Sequence, residues 1–430
     1  MIRILPSFVA CALLALGAAA QDSSEPPKNR ILALLEKDRD EHAARAANET
    51  VSAEERATSK ARSERMAHVI RKSMECRPQI LLGEIEGAEG AQRIVATHWR
   101  GDHEYFYPAS TVKLCGAVAA LERLNEIRRG IAPAADENTP LGFQPIRRNA
   151  PLLASDADNL DGGTITVAHC IRECLLVSDN ESFNRLYEFC GQDWLNERMW
   201  NAGLGTVHIA HRLSVAMSTQ ENRRTPVVEL RLPLGLIALE SRIGTHDHGL
   251  TGVPSTFLGD KHVEGSEVVR GPMSFFYMNR VGLSDLQGLL ARVVRPDLAP
   301  AGKTFDLTDA QRATLKELLA MFPGDSKNPK YDRAKYPDDY CKFLRPGLLR
   351  VVPKEKLEVF NHVGLAYGSA TDNAYVVDRA SGRAFFLTAT IYADSDGVVG
   401  DDQYEYDSLA LPWLADVAEI VARDVLARAK

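Results

Sequence analysis

Tyr107-Pro108-Ala109-Ser110-Thr111-Val112-Lys113 runs directly into the apolar stretch Leu114 to Leu121, so Ser110 stands where a buried helix begins. Serine and lysine at i, i+3 project from one helical face. A serine hydroxyl is a weak nucleophile that needs a base, and a desolvated lysine can shed its proton to become one. The helix start adds free backbone N–H groups and a positive dipole end, both suited to a developing oxyanion. Taken alone, a capping serine followed by a surface lysine accounts for the same residues.

A second motif lies downstream. Ser178-Asp179-Asn180 follows the apolar run Ile171 to Val177 and leads into Glu181 to Leu186. A hydroxyl and a carboxamide two apart at a turn can face one cleft, one relaying a proton and the other holding a substrate amide. A plain helix cap at Ser178 or Asp179 is the structural alternative. In this order and spacing the pair resembles the S-x-x-K and S-D-N motifs of the penicillin-recognising serine enzymes, the class A β-lactamases and penicillin-binding proteins. Ser110 to Lys113 is the chain's one S-x-x-K, and Asn184 matches a further asparagine that class A enzymes carry one turn on.

The resemblance implies a β-lactamase/transpeptidase-like α/β (α+β) fold. It casts Ser110 as nucleophile, Lys113 as base, Ser178 as proton relay and Asn180 as substrate ligand. The family's K-T-G strand is met in part by His362-Val363-Gly364 before Leu365. Gly364 keeps a close backbone approach. The resemblance implies an oxyanion hole from the Leu365 and Ser110 N–H groups. His362 replaces a lysine, turning a fixed charge that would meet a substrate carboxylate into a titratable group. Class A enzymes also place a glutamate on a loop to activate the deacylating water. Here His211 to Ser218 contains no acid, and Ser214 stands at the glutamate's place, with Glu221 and Glu229 the nearest candidates downstream. The implied partner is a small β-lactam or a peptidoglycan-type peptide. D-alanyl carboxypeptidase or transpeptidase activity, and a non-hydrolytic sensor domain, are the alternatives.

Rival chemistries find little support. His246-Asp247-His248 opens like a metallohydrolase signature, but Leu250 occupies the aspartate position and no second cluster follows, so no metal or other cofactor is expected. His169 and His208 read as structural. No G-x-S-x-G elbow and no phosphate loop occur. With 51 basic and 58 acidic residues the chain carries a formal −7, which disfavours nucleic acid.

Arg3 and the uncharged run Ile4 to Ala20 read as a signal peptide (1–20), predicting a periplasmic or secreted enzyme without a membrane span after cleavage. Six cysteines remain beyond it, enough for up to three disulfides or for structural thiols. Residues 21–76 lack aromatics and are rich in Ala, Glu, Arg and Lys, which predicts a charged helical tether. The hydrolase domain is placed at 77–430. Strands are expected at 80–85, 93–97, 357–360, 374–377 and 384–392. Helices are expected at 111–127, 166–176, 180–190, 227–240, 284–294, 308–321 and 411–427. Long loops are assigned to 243–281 and 323–350. The pattern predicts an antiparallel sheet built from both chain ends, helices around it, a helical subdomain and an insertion within about 230–355.

Overall fold

A computed structural model describes residues 29–146, 151–246 and 256–428. The signal-like segment lies outside them. Helices α1 (Arg30–Ala47) and α2 (Ala53–Arg71) precede strands β1 (Gln79–Glu86) and β2 (Arg93–Trp99). One 3-10 turn, Ala109–Val112, feeds α3 (Lys113–Gly130), followed by α4 (Val167–Leu176), α5 (Asn180–Cys190) and α6 (Gln192–Asn201). After α7 (Leu283–Val294) and α8 (Asp309–Ala320) the chain returns to strands β3 (Leu357–Ala366), β4 (Ser369–Asp378) and β5 (Arg383–Tyr392), then ends in α9 (Leu411–Ala427).

The five strands form one antiparallel sheet in the order β3-β4-β5-β1-β2. β1 pairs with β5, Ile80 opposite Ala389, so both chain ends share the sheet as expected. Period-two alternation sorts the side chains to two cores. Ile80, Leu82, Phe385, Leu387 and Ile391 face α1, α2 and α9, while Leu81 and Phe386 join the core formed by α3 to α8. The 3-10 turn and helices α3 to α5 pack on the second side.

The tether reading of 21–76 does not hold for its described part. α1 and α2 dock on the sheet's first face, burying Ile31, Leu35, Met66 and Val69 beside Trp413. Few as they are, these residues fall at i, i+4 and i, i+3 on one face of each helix, and each buried side chain contributes about 1.5–3 kcal/mol. The charges are used too: Arg62 donates to Asp38 at 2.6 Å and also meets Glu419, while Arg65 reaches Asp416 at 2.6 Å.

The helix expected at 227–240 is a β-hairpin, Val228–Leu232 against Gly235–Leu239, joined to Leu141–Phe143. Val228 and Leu230 alternate inward, and Pro233 and Gly235 break any helix there. The loop assigned to 243–281 includes a short hairpin, Lys261–Glu264 with Glu267–Arg270. All six cysteines in the described residues are buried and unpaired, so the thiol alternative to disulfides is the one realised. Among the described residues no helix is long and apolar enough to cross a membrane.

Candidate active site

Three elements converge on Lys113. The 3-10 turn presents Ser110 one turn before it, the α4–α5 turn brings Ser178 and Asn180, and strand β3 closes the back. Lys113 is fully buried. Its Nζ lies 2.8 Å from Ser110 Oγ, 2.9 Å from Ser178 Oγ and 2.8 Å from Asn180 Oδ1, and it also meets the Ser178 carbonyl. Burial pushes its pKa down to about 8. An ammonium has three protons for these four oxygens. The free amine has a lone pair, to which the Ser110 hydroxyl can donate.

The turns that aim these groups are strained. Ala109, Ser178 and Ser214 adopt left-handed φ values of 47°, 59° and 54°, a conformation that side-chain-bearing residues hold only when their surroundings impose it. At the α4–α5 turn the imposing contacts are visible. Asp179 caps α5 by accepting from Ser182 N at 2.6 Å, and its own N–H donates to the Glu173 carbonyl. Capping and display of Ser178 and Asn180 are therefore one geometry, so the two readings of this motif are not exclusive.

Asn184 clamps the loop that follows, accepting from Leu213 N at 2.8 Å and donating to Leu213 O at 3.0 Å. Arg212 anchors it from below, donating to Glu188 at 2.9 Å. The clamp places Ser214 Oγ 2.8 Å from Asn180 Nδ2, from which it accepts. A hydroxyl thus stands where the family pattern has a carboxylate. Glu221 caps a short helix through Ser218, and Glu229 bonds Gln144 in the hairpin, so neither lines the cleft.

His362 is not among the residues that line the cleft beside Ser110. It is 2 % exposed, and its Nε2–H donates to the Ser110 carbonyl at 2.9 Å. Burial, with the Lys113 charge added, pushes its pKa down to about 3. The substrate-binding role expected of it is corrected to a neutral prop behind the serine turn. Gly364 meets that turn even more closely: a Cβ there would lie 2.4 Å from the Pro108 carbonyl and 3.2 Å from Thr111 N. Its work is also positional. Leu365, 39 % exposed, does reach the cleft.

The cleft itself encloses about 1060 Å³ beside Ser110, Asn180 and Ser214. Its walls include Tyr107, Tyr367, Tyr404 and Tyr406, none of which the motif reading singled out as lining. Tyr107 was in plain view, three residues before the serine. Tyr404 and Tyr406 follow the last strand, and only the closed sheet brings them here.

Residues 97–231 match the model of the β-lactamase enzyme family, a span that includes Ser110, Lys113, Ser178 and Asn180. No curated protein matches the chain. Among solved structures, a β-lactamase from Burkholderia ambifaria is 16 % identical, covering 85 % of this chain and 100 % of its own, with a TM-score of 0.47. A class A β-lactamase from Mycobacterium abscessus is 16 % identical over 85 % and 98 %, with a TM-score of 0.46.

Proposed function

We propose that this β-lactamase-like hydrolase works by acylation of Ser110, on β-lactams or related amides, in the periplasm or outside the cell. The observation that carries the reading is a buried lysine, poised near pH 8, within hydrogen-bond reach of two serine hydroxyls at the edge of a cleft. Lys113 takes the Ser110 proton while Oγ attacks the substrate carbonyl carbon. Ser178 passes a proton to the leaving nitrogen as the C–N bond breaks, leaving an ester on Ser110. Asn180 holds the substrate amide, and the N–H groups of Ser110 and Leu365 receive the oxyanion.

Among the described residues the cleft is lined by one carboxylate, Asp402, and it is not bonded to Asn180. Ser214, and not a carboxylate, meets Asn180, which favours a long-lived acyl-enzyme over rapid class A turnover and keeps penicillin sensing and cell-wall peptide transfer as second readings. Intact-mass measurement after incubation with a penicillin tests both steps. The expected result is an adduct on Ser110 that persists well beyond mixing and is absent from Ser110→Ala. If no adduct forms and Ser110→Ala leaves every hydrolytic activity unchanged, the reading fails.

A further inference from the structure

Away from the cleft, three ligand-type side chains meet on the far side of α4. His169 and Glu173 lie one turn apart on that helix, and Asp156 comes from the loop before it. His169 is 1 % exposed. Its Nε2 lies 3.2 Å from Asp156 Oδ2 and 3.5 Å from Glu173 Oε2, yet it makes a directed hydrogen bond to neither, and Nδ1 has none either. Nε2 and one oxygen of each carboxylate all lie within 4.8 Å of one another. A buried imidazole whose ring nitrogens make no aligned hydrogen bond is costly unless a further partner satisfies it.

We infer that Asp156, His169 and Glu173 form a zinc site with an open fourth position for water. Zinc bonds of about 2.0–2.1 Å to nitrogen and oxygen in a tetrahedron put neighbouring ligand atoms about 3.3–3.4 Å apart, and the two measured edges bracket that value. Two carboxylates and a neutral imidazole balance one dication. Ser182 Oγ donates to Glu173 Oε2 at 2.5 Å, an outer contact that orients a ligand. Calcium would need about six to eight oxygens, more than these residues supply. The partly exposed Asp156 is the side on which water would complete the shell.

Such an ion would pin the loop at 156 to the helix whose end delivers Ser178 and Asn180. The Glu173 carbonyl already accepts from Asp179 N. The full chain, stripped of metal and titrated with zinc chloride, is expected to bind one equivalent and to melt several degrees higher. X-ray absorption at the zinc edge should show nitrogen and oxygen ligands only. Asp156→Asn, a loop change that keeps the packing, should weaken binding at least tenfold, as should His169→Asn. Absence of binding, sulfur ligands from the buried cysteines, or Asp156→Asn within twofold of the native affinity overturns the assignment.

Discussion

Two buried lysines show how much a shifted pKa explains and how much it does not. Lys113 and Lys342 are both sealed from water, both pushed down to about 8 by burial, and both bonded to a carbonyl and an asparagine Oδ1. Their other neighbours differ. Lys113 meets two serine hydroxyls at a cleft, whereas Lys342 ties the carbonyls of Leu319 and Val359 to Asn361, which in turn donates to Asp372 at 2.8 Å. Desolvation makes either amine a feasible base. Only Lys113 has a proton to take and room for a substrate, so geometry decides the assignment and the pKa supports it.

The sharpest break between the two comes from substitution. Lys113→Met is expected to slow Ser110 acylation on the order of 10³-fold, the range that removal of a general base produces. Lys342→Met should leave acylation per folded molecule within about threefold. It should instead cost about 3–5 kcal/mol in urea unfolding, because Asp372 and three acceptors lose a buried partner. If Lys342→Met silenced acylation in folded protein, the contrast would collapse.

A smaller test concerns the strand between the two lysines. Gly364→Ala forces a Cβ to 2.4 Å from the Pro108 carbonyl, which is backbone and cannot swing aside. The serine turn must shift, and a displacement near 1 Å costs catalysis about 10²-fold. Time-resolved mass spectrometry of acylation should show that loss while Lys342 and its neighbours, measured by unfolding, stay near native stability.

How far the residues alone reached follows from the same physics. Strand alternation and the i, i+3 spacing of Ser110 and Lys113 are local, and both were legible. α1 and α2 were misread because four inward apolar residues suffice once a sheet face is waiting, and composition averages that over fifty positions. The 227–240 hairpin was misread as a helix although Pro233 and Gly235 stood inside it. The place of Ser214 opposite Asn180 could be guessed from spacing, but the Asn184 clamp that holds it there joins residues 29 apart and emerges only on folding.

His362 was the residue whose environment mattered most, and it supports the finest prediction. At its ordinary pKa it would gain charge below about pH 6.5 and tighten binding of a carboxylate-bearing substrate there. Buried beside Lys113 and held near 3, it stays neutral throughout the working range. The acylation rate should then follow Lys113 alone, rising about tenfold from pH 7 to pH 9 with a midpoint near 8, as its amine loses its proton. His362→Gln retains a donor for the Ser110 carbonyl, so it should slow acylation only a few-fold, roughly the value of one hydrogen bond, and leave that midpoint in place. A second inflection near pH 6.5 that vanishes in His362→Gln would mean the histidine titrates against substrate. The serine site would then depend on two ionisable groups, and its simple contrast with the Lys342 cluster would be lost.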